Sequence, residues 1–213
     1  GAGEYDSNKT VRPMADCMPK GVEWIQSKVV NFEADKSLVL LENGQTIHYQ
    51  QLVVATGLKI DWDAISGLQE TLGKNGVTSN YRYDLAPYTW ELVKNLKAGN
   101  AIFTQPPMPI KCAGAPQKAL YLSCSCWERA GVLSNINVDF SNAGGVLFGV
   151  AHYVPTLMQY VSRYKTTLNF NSNLVAVDGA KKIAHFQVKD TDGNVAHVEK
   201  SFDLLHVVPP QSP

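Results

Sequence analysis

The sequence predicts an α/β fold: a βαβαβ unit whose last crossover is replaced by a β-meander, preceded by a shorter, mostly β segment. Three observations predict it. Strand-like runs NAIFTQ (100–105), NINVDF (135–140) and TTLNF (166–170) alternate with helix-length amphipathic stretches. Pro87, Pro116 and Pro155 stand where first helical turns begin. Beyond residue 170 the spacing shortens into the alternating runs NLVAVDG, AHFQV and HVEKSF.

Taken in order, VEWIQSKVVNF (22–32) and SLVLLENGQTIHY (37–49) read as strands, with Asn43-Gly44 as a turn signal. QLVVATG (51–57) is a continuous apolar run ending in small residues, the pattern of a buried strand that meets a ligand or a tight turn. The Gly-rich stretch 58–81 is looser, so a domain change is placed at residue 82, giving domains 1–82 and 83–213. After Asp84 a helix presents Leu85, Thr89, Leu92 and Leu96 on one face and ends by Gly99. A second helix begins near Ala115 and Pro116 and stops at Gly131. The third runs from Tyr153 to Tyr164. Asp192-Gly193 turns a hairpin in the meander, and FDLLHVVPP (202–210) closes the sequence with a buried strand. This order describes half of a Rossmann-like dinucleotide fold.

With 213 residues, 45% of them hydrophobic, the chain can bury a sizeable core. Nineteen Lys and Arg balance nineteen Asp and Glu, which provides no excess positive field for nucleic acid or for an anionic bilayer. Apolar runs fall well short of the roughly 20 residues that span a membrane. The start, GAGEYDSNKT, and the end, VVPPQSP, suggest a piece of a longer protein. Four cysteines are too few for a disulfide scaffold, and CxC with five scattered histidines does not match zinc spacing, so no metal is expected.

A dinucleotide-binding turn requires G-x-G-x-x-G, whose glycines let the backbone approach a pyrophosphate at a helix N-terminus. The turn here reads CAGAPQK, with one glycine. Asp139 sits mid-strand rather than at the strand end that would meet a ribose. A nicotinamide site is therefore not expected. Instead Cys112 precedes a helix start, with Lys111 and Lys118 nearby, a setting that favours the thiolate and sulfur chemistry. The alternative is a small residue packed behind the turn. Cys124 and Cys126 lie inside the helix, Cys124 about 18 Å along its axis from Cys112, too far for a disulfide, and read as fillers. Cys17 has no helix start and reads as a packing residue.

GVEWIQSKV, YQQLVVATG, GNAIFTQPPMPIKCAGAPQKALYLS, LFGVAHY and LLHVVPPQSP resemble, in order and spacing, the mitochondrial-type sulfide:quinone oxidoreductases. That family belongs to the two-dinucleotide-domain flavoprotein disulfide reductases. The resemblance implies that residues 1–82 are part of an FAD-binding domain, a β-ribbon with the ATG strand, and that 83–213 are the NAD-like Rossmann domain. It implies FAD as cofactor, Cys112 as the flavin-side redox cysteine, Val29 as a main-chain contact to the adenine, and Thr56 and Gly57 near the cofactor. Hydrogen sulfide would be oxidised through a cysteine persulfide, ubiquinone would take the electrons, and glutathione or sulfite would take the sulfane sulfur. A mitochondrial inner-membrane location is also implied, with membrane contact and the second redox cysteine outside this sequence and the fragment inactive alone. Two other readings stay open: a flavin-dependent NADH:quinone or disulfide reductase, and a non-enzymatic redox or binding module.

Overall fold

The computed structural model describes residue 3 and residues 5–212, and they form two compact units. Asn8–Gly57 make the smaller one. It holds a single helical turn, α1 (Met14–Cys17), and an antiparallel sheet of β1 (Val29–Glu33), β2 (Leu38–Leu41) and β3 (Thr46–His48). The Asn43-Gly44 signal is used as expected: Gly44 takes a φ of 85°, and its N–H donates to the Leu41 carbonyl. Leu38, Val39 and Leu41 are its buried residues, which is a slender core.

QLVVATG is not a strand. Residues 51–57 pair with no strand among the described residues, and Val53 and Val54 are 89% and 57% exposed. A continuous apolar run becomes a buried strand only when neighbours supply hydrogen bonds and cover both faces. No described residue of this chain does so.

The larger unit takes in the first seven residues and resumes at Leu58, 25 residues before the boundary expected from the sequence. Its elements are β4 (Lys59–Ile60), α2 (Leu68–Thr71), β5 (Val77–Thr78), α3 (Ala86–Asn95), β6 (Gly99–Gln105), α4 (Gly114–Arg129), β7 (Ile136–Asn142) and α5 (Val154–Arg163). Then follow β8 (Thr167–Asn169), β9 (Ser172–Asp178), β10 (Ile183–Lys189), β11 (Val195–Ser201), β12 (Leu204–His206) and β13 (Gln211–Ser212). Residues 58–82 belong here because β5 is the edge of the parallel sheet, in the order β5-β12-β6-β7-β8, and β4 pairs with β13. Their partners lie near the far end of the sequence, invisible to local pattern.

The strands β5 and β12 and the C-terminal part of β6 are buried on both faces. On one side Ala101, Phe103, Val138, Phe140 and Leu204 pack against the helices through Val93, Leu120, Cys124, Trp127 and Val161. The other side packs Val77, Ile102, Leu205 and Val207 against Leu174, Val177, Ala184 and Phe186 of the antiparallel β9-β10-β11 meander. Fully burying one such side chain contributes about 1.5–3 kcal/mol. Helices lie on one face and a sheet on the other, as expected from a βαβαβ unit that ends in a meander.

Candidate functional site

The strand that opens the βαβαβ run, β6, lies between β7 and β12, so β7 and β8 are added on one side of it and β12 on the other, which makes a switch in strand order beside β6. Ligands of open α/β folds settle at such a switch point. The chain leaving β6 there runs through Pro106–Ala113, contains a cis Met108–Pro109 peptide, and enters α4 at Gly114. Cys112 is exposed immediately before this helix start. No side chain caps the helix, so the positive end of its dipole stays open beside the thiol.

Two contacts from distant segments hold the cysteine turn. The Lys111 N–H donates to Gln211 Oε1 at 2.6 Å, and the Tyr81 hydroxyl donates to the Cys112 carbonyl at 3.3 Å. That carbonyl also accepts from the Ala115 N–H at 3.0 Å, the first bond of the helical turn. Partial burial raises the Tyr81 pKa, so its hydroxyl keeps its proton for this contact. Sequence reasoning missed both residues. Gln211 had one usable signal: it follows the buried FDLLHVV strand at the edge where sites form.

His206 is wholly buried at the end of β12 and stacked on Phe103 with ring centroids 5.9 Å apart. Its Nε2 accepts the Asn80 N–H at 3.0 Å, and burial pushes its pKa down to about 4, which fixes a neutral ring. Beside α4 an apolar groove of about 380 Å³ is lined by Gly114, Lys118, Tyr121, Phe148, Tyr153 and Leu157, among others. Buried Gln117 shapes it, donating to the Leu147 carbonyl at 2.7 Å and accepting from the Tyr121 hydroxyl at 3.1 Å.

The remaining cysteines differ from Cys112. Cys124 is in the core and burial pushes its thiol up to about 12, while Cys126 is half-buried on the same helix. The packing role expected of Cys17 is wrong: it is exposed, because its helix is one turn long and buries nothing. Where a nicotinamide ribose would need an acid, β7 ends in buried Asn142, whose side chain accepts from the Gly144 N–H and donates to the Val146 carbonyl. Asp139 is engaged elsewhere, accepting from Lys200, Ser141 and Asn169. Val29, Thr56 and Gly57 all lie in the smaller unit. Among the described residues no group of three His, Cys, Asp or Glu side chains is placed to hold a metal, and no helix is long and apolar enough to cross a membrane.

No family model matches the chain. It is 39% identical over 214 residues to a mitochondrial sulfide:quinone oxidoreductase of Dictyostelium discoideum, covering all of this chain and 46% of that protein. The chain is homologous to the mitochondrial sulfide:quinone oxidoreductases. It is 35% identical to the mouse enzyme of that name over 212 residues, again matching the whole chain and 47% of the relative. It thus spans about half the length of the sulfide:quinone oxidoreductases it matches. In fold it is similar to the Aquifex aeolicus sulfide:quinone oxidoreductase, with a TM-score of 0.66 at 20% identity over 88% of this chain and 42% of that one. A chain in the Tetrahymena thermophila mitochondrial ATP synthase gives 0.75 at 19% identity, covering 97% of this chain and 52% of its own length. The resemblance read from KCAGAPQK and its companions is thereby shown, as is the α/β fold.

Proposed function

We propose that this chain is the redox-cysteine half of a flavin-dependent sulfide:quinone oxidoreductase, with Cys112 as its flavin-side sulfur. The observation that carries the reading is an exposed thiol at an uncapped helix start on the switch-point edge, its turn held by Tyr81 and Gln211. In this reading sulfide attacks a disulfide or trisulfide between Cys112 and a second cysteine outside this sequence. The attack falls on the second cysteine's sulfur, which becomes a persulfide, and Cys112 leaves with the bonding electron pair, as the thiolate from a disulfide or as a persulfide anion from a trisulfide. The helix start receives that negative charge. A small acceptor, glutathione or sulfite, then removes the sulfane sulfur.

FAD, when bound, supplies the two-electron acceptor and a route to ubiquinone. The residues present fit such a group. Val29 pairs with Leu41 beside the register shift that leaves Val30 out of the ladder, and Gly57 takes a φ of 78° with open space on its Cβ side, so a flat ligand can approach its backbone. Of the two domains expected from the sequence, the FAD-binding one is accordingly assigned to Asn8–Gly57, and the nicotinamide-type domain that serves the cysteine instead takes in residues 58–82 as well. Membrane and quinone contact, at the mitochondrial inner membrane, are assigned to regions outside this chain.

The test is Cys112→Ser in the flavin-loaded protein that carries this chain. Sulfide-dependent quinone reduction should vanish with flavin content unchanged, because a hydroxyl cannot exchange with a disulfide. Retained turnover would refute the assignment. Turnover with NADH in place of sulfide would favour the NADH:quinone reductase reading.

A further inference from the structure

Among the described residues the β9-β10-β11 meander ends in an open edge at β11. β11 is seven residues long, contains neither Pro nor Gly, runs without a bulge against β10, and is exposed along almost its whole length. Natural edges of this length usually carry a proline, a bulge or an outward lysine that blocks pairing. The one lysine here does not serve that purpose: the Lys200 ammonium is turned inward, donating to Asp139 at 2.7 Å and Ser141 at 3.2 Å.

The hydrogen-bond register shows which backbone groups are free. Phe202 donates to the Lys182 carbonyl at one end of the β10-β11 ladder, and Asp190 donates to the Asn194 carbonyl at the other. With unbroken register between them, the even-numbered residues of β11 exchange bonds with β10. Val195, His197, Glu199 and Ser201 therefore direct their N–H and C=O groups away from the sheet.

We propose that β11 is a homodimerisation edge, at which two copies of this chain pair antiparallel about a two-fold axis through Val198. Three central self-registers satisfy the outward groups. One sets His197 against His197 and another sets Glu199 against Glu199, a repulsive pair. The third sets His197 of each copy against Glu199 of the other, twice over. There each imidazole would donate to a Glu199 carboxylate that also faces His185 of its own sheet at 3.4 Å, and the two Val198 side chains, each 36% exposed, face one another in the closer, non-hydrogen-bonded position. Charge complementarity thus selects a second copy of this chain as the occupant, and the two three-stranded meanders become one six-stranded sheet.

Sedimentation velocity of the 213-residue chain from micromolar to submillimolar concentration tests this. A reversible monomer–dimer equilibrium is expected. His197→Pro removes one outward N–H and leaves the β10 ladder intact, so it should raise the dimer Kd by at least about tenfold with an unchanged circular dichroism spectrum. His197→Glu should weaken the dimer similarly by setting like charges together, and His197→Glu with Glu199→Lys should restore it. That rescue separates a lost contact from a misfolded variant. A monomer at every concentration, or a dimer indifferent to His197→Pro and to the charge exchange, would overturn the proposal, as would a β11 occupied by another protein's peptide while the chain itself stays monomeric.

Discussion

Replacing Gln211 with Ala isolates what holds the cysteine turn. The side chain accepts one backbone hydrogen bond, from Lys111 at 2.6 Å. Lys111 is exposed, so its freed N–H can be rehydrated, and the loss is the net value of a neutral hydrogen bond, about 1 kcal/mol rather than a full desolvation penalty. At 1.4 kcal/mol per factor of ten, the turn should open about five-fold more often, and the Lys111 amide should exchange with deuterium faster by that factor. Tyr81→Phe removes the longer 3.3 Å contact, and the Cys112 carbonyl keeps its bond from Ala115, so a roughly two-fold effect is expected. The two residues restrain one turn, so the double variant should depart from simple additivity. Hydrogen–deuterium exchange by mass spectrometry reads this, with the β6 amides around Phe103 as an internal control. Exchange at Lys111 and Ala115 unchanged by Gln211→Ala, or faster exchange spread equally into β6, would show that Gln211 does not hold the turn.

Three further outcomes are expected. Under brief alkylation near neutral pH, exposed Cys112 and Cys17 should label before Cys126, and Cys124, buried with its thiol pushed up to about 12, should label only on unfolding; peptide mapping checks the order. His206 has a folded pKa of about 4, below its ordinary 6.5, so the unfolded chain binds the extra proton between those values. Stability is full above about pH 6.5 and falls towards pH 4 by about 3 kcal/mol, a slope that His206→Gln should flatten in denaturant titrations. Gly67→Ala should destabilise by about 2 kcal/mol or more and lower Tm by about 4 °C or more, because φ is 74° and a Cβ would strike the Val177 carbonyl; an unchanged melting curve would contradict that packing.

What the sequence disclosed and what it hid follow from range. The helices starting at Pro87, Pro116 and Pro155 and the strands 100–105 and 135–140 are governed by periodicity and local stops, and they form where expected. The position of Cys112 just before a helix start was legible because the signals that begin and end that helix are local. Tyr81 and Gln211 reach it across 31 and 100 residues of sequence, with no motif to mark them. The same holds for β5, which is a strand because β12 lies alongside it. QLVVATG misled for the complementary reason: apolarity signals that a segment needs covering, and pairing depends on what other segments offer.

The central claim is that Cys112 delivers the electrons of sulfide to a flavin, and rapid mixing tests it most directly. In the flavin-loaded protein that carries this chain, anaerobic sulfide should bleach the flavin absorbance in the wild type. With Cys112→Ser the flavin should stay oxidised at equal flavin occupancy. Bleaching of the Cys112→Ser flavin at the wild-type rate would contradict the account and move the chemistry to another group.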